Sequence, residues 1–174
     1  QVVGAEPRIK QITEDLIKHF HTRTKTQPGK AMIVCMSREI CVKFYEALRK
    51  LKPELHDDDL SKGQMKIVMS ASASDVEEFQ PHHTNRLQKK DLENRFKDPS
   101  DPLKIVIVRD MWLTGFDAPC LTTMYVDKPM QGANLAQAIA RVNRVFGDKP
   151  GGLVVDYIGI CLLYTSPSPR DWTI

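Results

Sequence analysis

Apolar residues recur at Ile9, Ile12, Leu16, Ile17 and Phe20. Three- and four-residue steps put them on one face of a helix, so an amphipathic α-helix is expected over residues 6–21. The polar stretch from Thr22 to Gly29 ends in Pro28-Gly29 and reads as loop. The pattern then changes period. Residues 30–36, Lys-Ala-Met-Ile-Val-Cys-Met, form a continuous apolar run, as expected of a strand buried on both faces. Ser37 is placed as the N-cap of the next helix, and Ile40, Cys41, Phe44, Tyr45, Leu48 and Leu51 form its apolar stripe. Pro53 ends it.

The same alternation continues. A strand is expected over Met65–Ser70, and loop over residues 71–83. A charged helix follows over 84–97, with Leu87, Leu92 and Phe96 facing inward. Residues 103–108 are the most strand-like segment, a turn covers Asp110–Pro119, and Leu121–Val126 is a further strand. A helix is expected over 132–146, burying Leu135, Ala138, Ile139, Val142 and Val145. Gly151-Gly152 leads into a last strand at Leu153–Val155. Strands that are apolar on both faces and alternate with helices predict an α/β domain, a parallel sheet covered by helices on both faces. The chain divides into a lead-in helix over residues 1–22, a domain over 23–160 and a tail over 161–174. The tail has no helical or strand period, and its Ser-Pro-Ser-Pro reads as disordered. It is expected to be non-native, such as translated adapter or vector sequence. The start at Gln1, without an initiator Met or an apolar leader, is read as internal to a longer protein.

Composition narrows this little. With 25 Lys and Arg against 22 Asp and Glu, the net charge of +3 permits a nucleic-acid partner without demanding one. No apolar run reaches the roughly 18 residues that span a bilayer, so no membrane partner is expected. The four cysteines, Cys35, Cys41, Cys120 and Cys161, form no C-x-x-C pair; reduced thiols in a cytoplasmic protein are expected. His82-His83 lacks further ligands at metal-site spacing, and Asp57-Asp58-Asp59 reads as a solvated charge run.

Ligands of parallel α/β sheets bind outside the carboxyl ends of the strands, so the runs following each strand are the candidates. Ser37-Arg38 opens a helix, where free N–H groups and an Arg suit a phosphate; a plain cap with a solvated Arg is the alternative. Ser70-Ala71-Ser72 could line a backbone-binding groove. In the run Arg109 to Pro119, Gly115 permits unusual dihedrals or close approach, and Asp117 could accept from a sugar hydroxyl. The alternative is a tight loop with a structural Gly and an Asx turn. Gln137, Arg141 and Arg144 share one helix face at i, i+4 and i+7, which suits a polyanion such as a triphosphate or, equally, a basic solvated face.

Taken together and in this order, the runs resemble superfamily 2 helicases and translocases. Thr114-Gly115-Phe116-Asp117-Ala118-Pro119 is similar to their motif V. Gln137-Ala138-Ile139-Ala140-Arg141-Val142-Asn143-Arg144 is similar to motif VI, with Ala140 replacing the usual Gly. The first strand with Ser37-Arg38 is similar to motif IV. The narrower resemblance, over roughly residues 1–160, is to the R (motor and nuclease) subunits of type I restriction enzymes. Gly29 to Arg38, Leu113 to Pro119, Asp127-Lys128-Pro129-Met130 through Phe146, and Asp148 to Tyr157 carry it.

The resemblance implies a three-layer RecA-like (P-loop NTPase-type) fold, the C-terminal lobe of a helicase core. It implies that Arg141 and Arg144 reach the γ-phosphate of ATP, that Gln137 senses the nucleotide, and that Gly115 and Asp117 couple nucleotide to DNA. Ser37, Arg38, Ser70, Arg109 and Thr114 would contact the DNA backbone, although Arg109 stands where many relatives carry Thr. The phosphate loop and the Mg²⁺ carboxylates are expected on a first lobe in cis. Gly29-Lys30 lacks the G-x-x-x-x-G-K-[ST] frame, so this chain by itself is not expected to hydrolyse ATP. Implied partners are double-stranded DNA, a nuclease domain in cis, and the methylation (M) and specificity (S) subunits. Another superfamily 2 DNA helicase, or a non-enzymatic α/β anion- or protein-binding module, are the competing readings.

Overall fold

A computed structural model describes residues 3–143 and 151–158, and the backbone of 171–173. Its elements run α1 (Glu6–Thr26), β1 (Lys30–Cys35), α2 (Arg38–Leu51), β2 (Met65–Ser70), β3 (His83–Thr84), α3 (Arg86–Lys97), β4 (Ile105–Val108), β5 (Leu121–Asp127), α4 (Gly132–Val142), β6 (Leu153–Asp156) and β7 (Asp171–Thr173). The sheet order is β3-β2-β4-β1-β5-β6-β7. Strands β1 to β6 are parallel, and β7 lies antiparallel against β6.

The continuous apolar runs divide their side chains between two faces, because successive residues of a strand point to opposite sides. Ala31, Ile33 and Cys35 of β1 join Ile105, Ile107, Tyr125 and Val155 under α1 and α2. Met32 and Val34 join Val106, Val108, Met124, Val126 and Val154 under α3 and α4. The result is three layers with a core on each side of the sheet. Ile9, Ile12 and Leu16 bring α1 into the first core.

Several boundaries differ from expectation. Helix α1 runs on through Thr26, where a loop from Thr22 is expected. Thr24 and Thr26 fold their hydroxyls back onto the carbonyls of Phe20 and Arg23 at 2.9 and 3.1 Å, which removes their competition with the helix. Arg23 Nε also donates to Thr123 Oγ1 at 3.0 Å and ties the last turn to β5. Leu87 does not face inward: it is 76% exposed, whereas Leu92 and Phe96 are buried. A capping box between Asn85 and Gln88 sets the start of α3. Leu87 then lies five residues before Leu92, roughly 140° around the helix from it. The stretch 71–83 is not all loop. It holds a 3-10 turn over Glu77–His82 and leads into the edge strand β3, pinned by Thr84 Oγ1 donating to the Met69 carbonyl at 2.9 Å. Helix α4 is described to Val142, and Ile139 is half-buried rather than buried; Val145 lies outside the described residues. Of the tail over 161–174, the described part is the backbone of β7.

Candidate functional site

Because β1, β2, β4, β5 and β6 are parallel, their carboxyl ends line one edge of the sheet. Ser70 ends β2, and Ser37, Arg109 and Lys128 follow the ends of β1, β4 and β5. The edge is assembled by topology from segments far apart in sequence.

Ser37 caps α2 as expected: its Oγ accepts from the Ile40 N–H at 3.1 Å. Arg38 is held in place. Its Nη1 donates to the Ser70 carbonyl at 2.9 Å and to Asp75 Oδ2 at 2.8 Å, while Nη2 pairs with Asp75 Oδ1. Its guanidinium also lies 5.3 Å from the Phe79 ring centroid. Asp75 receives two further partners, the Ser72 N–H at 2.8 Å and His83 Nε2 at 2.9 Å. Hydrogen bonds from Arg38, then from Ser72 and His83, hold its carboxyl below the usual carboxylate range. Asp75 therefore joins the loop after β2, the start of α2 and the edge strand β3. Ser70 Oγ accepts from Lys89 Nζ at 2.8 Å, which brings α3 to the same edge.

The run after β4 is built on stacked rings. Trp112 lies parallel to Phe116 at a centroid distance of 4.5 Å and an angle of 3°, and both stand near Phe96. With Phe116 and Ala118 buried, Thr114 and Gly115 are presented outward and Asp117 is half-buried. The turn uses two left-handed residues, Gly115 at φ 65° and Trp112 at φ 66°. Nothing lies within 4 Å of where a Cβ at Gly115 would stand, so backbone conformation alone favours glycine there. Arg109 is exposed, with its Nε 3.2 Å from Asp110 Oδ2.

On α4, Leu135, Ala138 and Val142 pack against the sheet. Gln137 is exposed and Arg141 half-buried. Arg141 Nε is buried without a hydrogen-bond partner among the described residues, unusual for so strong a donor. Arg144 lies outside the described residues. Gly152 lets the end of α4 approach β6, since a Cβ there would stand 2.1 Å from the Val142 carbonyl oxygen.

The carboxyl end of β5 holds a buried ion pair that sequence spacing does not reveal. Asp127, 1% exposed, accepts from Arg8 of α1 at 3.0 and 2.5 Å. Asp75, Lys89 and Arg8 escape a sequence reading because the fold alone brings them to Arg38, Ser70 and Asp127, at separations of 19 to 119 residues for the latter two. Asp75 lies 37 residues from Arg38.

Three other features are structural. Lys30 turns into the interior, donating to the carbonyls of Arg95 and Asp98 at 2.9 and 2.5 Å. It thereby caps the end of α3, and burial pushes its pKa down. Asp57 and Asp59 form a turn closed on their own backbone, with Lys66 Nζ donating to both of their carbonyls. His82 packs edge-on against Tyr45, and burial, together with the cations around it, pushes its pKa down to about 4. Among the described residues, no group of three or more His, Cys, Asp or Glu is placed to hold a metal ion, and no helix is long and apolar enough to cross a membrane.

The model of the family "Type I restriction enzyme subunit R domain 3" matches residues 75–159. The type I restriction enzyme HindI endonuclease subunit of Haemophilus influenzae is 54% identical over 163 residues, covering 92% of this chain and 16% of that relative. The chain thus spans about a sixth of that protein's length. Two solved structures share the fold. One is a fragment assigned as the HsdR subunit of a type I restriction enzyme from Vibrio vulnificus YJ016, with a TM-score of 0.65 and 19% identity, covering 94% of this chain and 30% of that one. The other is the C-terminal part of the Fun30 ATPase domain, with a TM-score of 0.56 and 14% identity, covering 83% of this chain and 40% of that one.

Proposed function

Because the chain belongs to the family of type I restriction enzyme R subunits, we propose that it is the second motor lobe of an ATP-dependent translocase acting on double-stranded DNA. The observation that carries this reading is Arg141. Its Nε is a buried donor without a partner among the described residues, on a helix whose exposed Gln137 precedes it by four positions. Such a group fits an anion arriving from a facing lobe.

In this reading ATP and Mg²⁺ are held by a first lobe elsewhere in the protein, and ATP supplies the phosphoryl group whose cleavage drives movement. This chain supplies charge and positioning. Arg141 and Arg144 neutralise charge developing on the γ-phosphate, and Gln137 and Asp117 orient the nucleotide. Gly115 lets the loop after β4 approach it closely. Ser37, Arg38, Ser70, Arg109 and Thr114 track the DNA backbone. Arg38 does so chiefly by fixing the edge through Asp75, since its Nη atoms already serve that carboxylate. Contacts of this kind are independent of base sequence and sensitive to salt. In the whole protein a nuclease domain in cis and the M and S subunits complete a site-specific deoxyribonuclease.

Displacement of a third strand from a triplex by the full-length R subunit, assembled with its M and S partners, tests the translocase directly. Displacement should require ATP and duplex between recognition site and triplex, whatever the sequence of that duplex. Displacement without ATP, or none at any spacing despite intact folding and DNA binding, would refute it.

A further inference from the structure

One carboxylate at the strand-end edge sits between two cations. Arg109 Nε lies 3.2 Å from Asp110 Oδ2. Lys128, which follows β5, pairs through Nζ with Asp110 Oδ1 and also donates to the Arg109 carbonyl at 3.2 Å. Strands β4 and β5 are not neighbours; β1 runs between them. The cluster therefore bridges the carboxyl end of β1, from which Ser37 and Arg38 lead. The side chains of Arg109 and Asp110 are 54% and 61% exposed, and that of Lys128 is 23% exposed. Ion pairs this open to water contribute little to stability, so the fold does not account for the arrangement.

Its chemistry matches a phosphate site with the anion supplied from within. An Arg offers directed N–H donors, a Lys a compact point charge, and the pair suits one anionic group with an oxygen toward each. Asp110 satisfies both cations in the manner of a phosphodiester. Being solvated, it can leave without creating a buried charge. We propose that Arg109 and Lys128 form a two-cation seat for one phosphate of the DNA backbone, which Asp110 occupies until DNA displaces it. The proposal rests on the DNA-translocase reading and deepens it. It makes Lys128 a further DNA-binding residue and Asp110 a built-in competitor that weakens DNA binding, which favours release at each step.

Removing the Asp110 carboxylate from the DNA edge should strengthen binding. The 174-residue chain is titrated at low salt with a fluorescein-labelled duplex of arbitrary sequence. Backbone amide shifts of the labelled chain locate the contact. Asp110→Asn should tighten Kd by about three- to tenfold, as expected when a competing charge leaves an interface. It must exceed Glu46→Gln, which changes net charge equally on the helix α2. Lys128→Gln should weaken binding and lower the slope of log K against log salt by about 0.9, the value for one phosphate contact. In the double variant the gain from Asp110→Asn should largely disappear. If Asp110→Asn matches Glu46→Gln or weakens binding while amides at Ser37 and Ser70 still shift with DNA, the seat is refuted and the translocase reading stands. If no amide along the strand-end edge shifts at any DNA concentration, the DNA-binding reading itself fails, and the seat with it.

Discussion

Arg8 and Asp127 are the residues whose loss should be felt most for their number of atoms. They form a two-point ion pair, Asp127 1% and Arg8 13% exposed in their side chains. Replacing Arg8 by Met leaves a buried carboxylate without its cation, and the unfolding free energy in urea should fall by about 3–5 kcal/mol. Removing both charges with Arg8→Met and Asp127→Leu should cost less than Arg8→Met alone. Two titrating groups near the strand-end edge contribute to the pH dependence in different windows. His82 is held down at about 4 against an ordinary 6.5. On acidification the unfolded chain takes up this proton before the folded one does. Stability is therefore whole above pH 6.5 and declines as pH falls toward 4. Asp75 has the opposite charge type, and its lowered pKa gives a contribution that is intact above about pH 4 and lost on further acidification. Thermal unfolding between pH 7 and 4.5 should show a falling midpoint, flattened by His82→Gln and not by Asp75→Asn. Equal slopes in both variants would remove His82 as the cause.

Among the elements, two glycines separate strain from collision. Gly115 has left-handed φ and open space at its Cβ, so Gly115→Ala should cost about 1–2 kcal/mol, the price of αL for an ordinary residue. Gly152→Ala drives a methyl into the Val142 backbone and must push α4 off the start of β6. Chemical denaturation should rank Gly152→Ala well below Gly115→Ala, and the reverse order would contradict the packing. Leu87→Glu on α3 should change stability by no more than about 0.5 kcal/mol, as for other surface positions. Leu92→Ala on the same helix should cost about 2–5 kcal/mol.

That last pair also marks what was legible in the sequence. Strands β1, β2, β4, β5 and β6 were legible because burial on both faces keeps them largely apolar, whereas the two-residue β3 and the short β7 carry no such run. Ser37 read as a cap because its hydroxyl serves a local N–H. Leu87 departs from its expected inward place because apolar identity does not fix orientation; the Asn85 cap sets the phase of α3. The end of α1 was hidden because its threonines bond within the helix. At the candidate site, the runs after each strand were visible. Their partners Asp75, Lys89 and Arg8 were not, since only the folded chain brings them to Arg38, Ser70 and Asp127.

For the whole molecule, the parallel sheet is what makes a function legible. Four parallel strand ends place segments from residue 37 to residue 128 along one edge, while helices on both faces seal the cores beneath it. Helix α4 sets Gln137 and Arg141 on that framework, fastened to β6 through the close approach at Gly152. The central claim is that Arg141 serves a triphosphate held by another lobe. Its most direct test is DNA-stimulated ATP turnover by the full-length R subunit carrying Arg141→Ala, with unfolding midpoint and duplex affinity measured on the same sample. The variant's kcat should fall on the order of 10³-fold or more, as for loss of an arginine finger, with folding and DNA binding retained. Undiminished turnover in a folded, DNA-binding variant would contradict that claim.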